Sequence, residues 1–160
     1  MANYYVDTGR FASGIKQGFG PARTECVAVA IVAVTTAMID NTNDEVSLFY
    51  LPKGAVVTGC SLYATDMDTN GSPTLAFDIG DSGDEDRLIA ASTVGQAGTG
   101  SYTSLVASTG FLYKYTADTE IKAYVQAVAA TAAAGTLKVM VRYFVDQDFS
   151  TTAQTASTTA

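Results

Sequence analysis

Apolar and polar residues alternate with a period of two along much of this chain, the pattern of half-buried strands. In 120–128, EIKAYVQAV, Ile121, Ala123, Val125 and Ala127 share one face, and Lys122, Tyr124 and Gln126 share the other. In 136–146, Leu137, Val139, Val141, Tyr143 and Val145 line one face. Residues 74–79 bring Leu75, Phe77 and Ile79 together. Strands are also expected over 45–51, 55–65 and 111–115, with 87–91 a short strand or one helical turn. The stretch 26–39, CVAVAIVAVTTAMI, is apolar on both faces, which predicts a central strand. Asp40-Asn41-Thr42-Asn43 and Pro52-Lys53-Gly54 mark turns. Residues 94–110, rich in Gly, Ser and Thr, read mainly as a loop, and 129–134 as a loop or single turn ended by Gly135.

About eight short strands without an amphipathic helix of ordinary length predict an all-β, eight-stranded, jelly-roll-like β-sandwich with an extended N-terminal arm. The alternative is an immunoglobulin-like sandwich, whose usual Cys–Trp–Cys pattern is missing because the chain has no Trp. The arm is expected over residues 1–25. It has no sustained period, glycines at 9, 14, 18 and 20, Pro21, and aromatic anchors at Tyr4, Tyr5, Phe11 and Phe19. The sandwich domain is expected over 26–148. A Ser/Thr/Ala-rich tail, 149–160, follows, with no composition for a core of its own.

Charge narrows the functional classes. Charged residues are 16% of the 160, the net charge is −7, and the nine Lys and Arg are scattered singly. Nucleic-acid binding, which needs clustered cations, is disfavoured. Residues 1–24 carry Arg10, Lys16 and Arg23 against Asp7 alone, so a weakly basic arm precedes an acidic body. No signal peptide is recognisable and the apolar run 26–33 is too short to span a bilayer. A soluble protein made in the cytoplasm is expected, with no membrane partner. Cys26 and Cys60 lack CxxC spacing and read as two buried thiols.

The candidate chemistry is sparse. Histidine is absent, which removes Ser-His-Asp and Cys-His schemes and the commonest zinc ligand. No phosphate-binding glycine loop occurs, so no cofactor and no catalytic residue is expected. Two acidic loops stand out. Asp66-x-Asp68-x-Asn70-Gly71 matches the first half of a calcium loop, but its twelfth position is Phe77 where Glu is needed. The plain reading is a polar turn with Gly71 at positive φ. Asp78, Asp81, Asp84 and Asp86, with Glu85, surround two glycines ahead of Arg87. That cluster suits calcium or a solvated loop in which Arg87 pairs locally.

The order Leu51-Pro52-Lys53-Gly54-Ala55-Val56, then Leu62-Tyr63-Ala64-Thr65-Asp66, then Leu75-Ala76-Phe77-Asp78-Ile79-Gly80-Asp81 and Asp86-Arg87-Leu88-Ile89 resembles a pattern of bacteriophage virion proteins. It resembles in particular the small jelly-roll decoration, or cement, proteins of tailed-phage heads. That resemblance implies a homotrimer on the outer surface of the capsid that clamps neighbouring major capsid proteins. Other readings are a tail or neck subunit, and a glycan-binding module using Tyr102 in the 94–110 loop.

Overall fold

The computed structural model describes residues 25–42, 44–96, 100–103 (backbone alone) and 109–146. Among these residues eight strands are formed: β1 (Cys26–Val34), β2 (Glu45–Leu51), β3 (Ala55–Ala64), β4 (Ala76–Asp81), β5 (Asp84–Ser92), β6 (Gly100–Thr103), β7 (Thr119–Ala127) and β8 (Gly135–Val145). They build two four-stranded sheets, ordered β1-β8-β3-β6 and β2-β7-β4-β5, in which all pairing is antiparallel. First pairs with last, second with seventh, third with sixth and fourth with fifth. The chain is thus one long hairpin wrapped over itself, and only β4 and β5 follow each other within a sheet. This is the expected all-β, jelly-roll-like sandwich.

The inner faces obey the alternation read from the sequence, while Tyr124, expected outward with Lys122 and Gln126, is buried. Leu137, Val139 and Val141 of β8 meet Phe77 and Ile79 of β4 and Ile121, Ala123 and Val125 of β7 in one core. Met67, Leu75 and Ile39 fill it from the connecting segments. Removing such side chains from water is the main favourable term, roughly 1.5–3 kcal/mol each.

Several expectations are corrected. The 26–39 strand stops at Val34 and passes into a 3-10 turn, Thr36–Met38. Among the described residues it is an edge strand, and not the central one expected: only β8 pairs with it there. Its outward residues Val27, Val29 and Ile31 are 53%, 48% and 67% exposed. Apolar residues on both faces therefore signalled an uncovered face here. Part of the 94–110 loop is a strand, since β6 matches Ser61–Ala64 of β3. Pairing with β3 overrides a Gly/Ser/Thr composition that favours coil. Residues 111–115 make a turn and one bridge, Val56↔Lys114, where a strand was expected. Leu112 lies there at φ 59, which interrupts extended backbone. The 87–91 segment is fully strand within β5.

β4 is buried on both faces. A Cβ added at Gly80 would collide with the carbonyl oxygens of Asp84 and Glu85, so the β5 backbone crosses where any side chain would stand. Gly71 has open space around it and is not at positive φ, contrary to expectation. Gly80→Ala is therefore expected to cost about 3 kcal/mol, and Gly71→Ala less than about 0.5, in urea unfolding followed by circular dichroism.

Candidate interaction surface

The anchors expected at Tyr4, Tyr5, Phe11 and Phe19 lie outside the described residues, as does the tail. The described chemistry centres on the two ends of β4 and on the outer sheet faces.

Ahead of β4, Asp66, Asp68 and Asn70 form successive side-chain turns. Asp66 accepts the amide of Asp68 (3.1 Å), Asp68 that of Asn70 (3.4 Å) and Asn70 that of Ser72 (2.9 Å). Asp68 is 1% exposed. Its Oδ2 accepts the amides of Thr74 (2.7 Å), Ala130 (2.9 Å) and Leu75 (3.1 Å), and its Oδ1 accepts that of Thr131 (2.9 Å). One carboxylate thus ties the β3–β4 connection to the β7–β8 connection, and an isolated bridge to Ala132 adds to the tie. Burial alone would raise its pKa. The amides of Thr131, Thr74, Ala130 and Leu75 outweigh burial and hold the carboxyl well below the usual carboxylate range. With five amides on two oxygens, Asp68 is an internal anchor rather than a cation ligand. No group of three or more Asp, Glu, Cys or His among the described residues is placed to hold a metal ion.

At the far end of β4, Asp81 and Asp84 close the β4–β5 hairpin. Asp81 accepts Arg87 Nε at 2.5 Å and the Gly83 amide at 2.8 Å, and Arg87 also reaches Asp84 at 3.4 Å. The guanidinium lies 3.9 Å from the Tyr113 ring centroid, and Tyr113 meets Tyr115 edge-on at 4.9 Å. Burial opposes the Arg87 charge, and Asp81 more than offsets it. The Tyr115 hydroxyl is buried against Asp81 without a well-aligned hydrogen bond. Burial and that negative charge raise its pKa. The Asp78 carboxylate accepts the amide of Ala91 at 2.6 Å, which holds Ala91 at φ 47. Asp68, Asp78 and Asp81 therefore act inward, while Glu85 and Asp86 face solvent. The local pairing of Arg87 expected from the sequence is present, and its stacking on Tyr113 was not foreseen.

The thiols differ. Cys60 is in the core, where burial pushes its pKa up to about 12 and makes it a poor nucleophile. Cys26, expected buried, is only half-buried because β1 is an edge.

Outward, the β1-β8-β3-β6 sheet sets Val27 opposite Arg142, Val29 opposite Met140 and Ile31 opposite Lys138, with Tyr63 of β3 beyond Lys138. A second apolar point is the turn carrying Phe111 and Leu112, both more than half exposed. Glu45, Glu120 and Lys122 pair on the other sheet, with Lys122 at 2.5 Å from Glu45. No helix among the described residues is long and apolar enough to cross a membrane.

The chain is 34% identical to a chain of the cyanophage Pam1 capsid asymmetric unit, over 81% of its own length and 91% of that chain, with a TM-score of 0.68. It is 25% identical to a chain of the capsid of Ralstonia phage GP4, covering 89% of itself and 97% of that chain, again at 0.68. A chain in the acidic stable capsid structure of Helicobacter pylori bacteriophage KHP30 shares the fold at 17% identity and a TM-score of 0.51, over 79% and 91% of the two chains. No family model and no curated protein sequence matches.

Asp68→Asn exchanges an acceptor-only group for one with a donor among amides, and is expected to cost on the order of 3 kcal/mol in denaturant unfolding. A depressed folded-state pKa stabilises fully above the unfolded value of about 4 and is lost as pH falls below it. Wild-type stability should therefore fall between about pH 5 and pH 2, and the Asn variant should show a shallower decline. Millimolar calcium or excess chelator should leave the melting temperature of the wild type unchanged.

Proposed function

The chain belongs to a family of bacteriophage capsid components, and from that premise we propose that it decorates the outside of the phage head and stabilises it as a trimer. In this reading it clamps neighbouring major capsid subunits together. The observation that carries the reading is the 34% identity to a capsid chain over 91% of that chain's length. Agreement over nearly a whole small chain argues for a shared role in the shell, and favours the capsid over a tail or neck position.

The physics of the reading is a rigid body with an N-terminal clamp. The sandwich supplies the body. Residues 1–25 supply a clamp whose fully extended reach is at most about 80 Å, enough to cross a neighbouring subunit. Tyr4, Tyr5, Phe11 and Phe19 are the anchors, each able to bury on the order of 150–250 Å². Ordering such a segment costs entropy, so it wins only through several contacts and through the avidity of linked copies.

Removing residues 2–20 should leave a folded body that no longer cosediments with heads. Normal decoration by the truncated protein would reject the clamp. Quantitative electrophoresis of purified particles should find hundreds of copies each; six or twelve would place the protein at the neck or tail instead.

A further inference from the structure

We propose that the outer face of the β1-β8-β3-β6 sheet seats the protein on the capsid, against a shell-protein patch that is apolar at its centre and carboxylate-bearing around it. This rests on the capsid-binding reading above and adds which face docks and what chemistry it meets. β1 places its bulk on the wrong side for an isolated sandwich. Val27, Val29 and Ile31 point outward while the inward positions include the small Ala28 and Ala30. Next to that row, β8 presents Arg142, Met140 and Lys138, and Tyr63 of β3 extends the surface. A contiguous apolar stripe on an edge strand is a pairing and aggregation hazard unless something covers it.

Charge identifies the cover. Arg87, Lys114 and Lys122 each sit in an ion pair. Lys138 and Arg142 are exposed, and neither has a carboxylate within ion-pair distance among the described residues. This holds in a chain with sixteen acids and nine bases. Glu25, just ahead of β1, lies on this sheet and accepts the Thr58 hydroxyl at 3.2 Å; most other acids gather elsewhere, Glu45 and Glu120 on the other sheet and Asp81, Asp84, Glu85 and Asp86 at the β4–β5 hairpin. A second copy laid face to face would bring two cation-bearing faces together, a like-charge arrangement that disfavours the pairing. A shell surface offering carboxylates around an apolar patch satisfies both the stripe and the two cations.

The test uses full-length protein and heads lacking it, with cosedimentation titrated over protein and salt. Light scattering on the free protein gives oligomeric mass, and circular dichroism checks folding. V29D/I31D and K138E/R142E should each bind heads at least about tenfold more weakly with unchanged mass and spectrum. E85K/D86K, on exposed positions of β5, should bind like wild type. Wild-type binding should weaken as salt rises. If both face variants bind like wild type, the seat lies elsewhere and the capsid role stands. If they instead change the oligomeric mass, the face joins copies of this chain and the proposal fails. A wild type that does not bind heads at all overturns the capsid-binding reading and this inference with it.

Discussion

β1 and β8 come from opposite ends of the described chain, and their nine-pair antiparallel ladder, Cys26↔Tyr143 to Val34↔Gly135, encloses every other pairing. The β2–β7, β3–β6 and β4–β5 pairs nest inside it. Each outer pair brings together residues with more chain between them, so the entropy of closing that loop is met only when the inner faces bury together. Register follows from the same condition. A one-residue slip of β8 would send Leu137, Val139 and Val141 to solvent and Lys138, Met140 and Arg142 into the core.

The connections between strands must also satisfy their backbone, and acidic side chains do much of this. Asp68 draws two distant connections together through amides alone. Asp78 holds the bend at Ala91, and Asp81 holds the hairpin and Arg87. Part of the acidity of the chain is therefore structural. Carboxylates used in this way make the fold sensitive to acid, because protonation removes an acceptor from buried amides.

The same architecture shapes what the protein can do for a capsid. A wrapped hairpin buries the inner face of each sheet, together with both faces of β4, and leaves the remaining outer surfaces to differ. Here one is acidic and internally paired, and the other carries an apolar row flanked by cations. A body with two unlike faces has a preferred orientation on a surface.

Alternation around Leu75, Phe77 and Ile79, Ile121 to Val125 and Leu137 to Val141 was enough to assign strands, sandwich class and core, because a period of two with one apolar face has a single way to bury. The ordered motifs from Leu51 to Ile89 pointed to phage virion proteins. Strand neighbours were not legible: apolar residues on both sides of β1 look the same in sequence whether a second layer of the chain or another molecule covers them. The strand β6 was hidden by its Gly/Ser composition, and the roles of Asp68 and Arg87 by partners 62 and 26 residues away, Ala130 and Tyr113. Contacts across such separations arise only when the sheets close, so tertiary structure decided them.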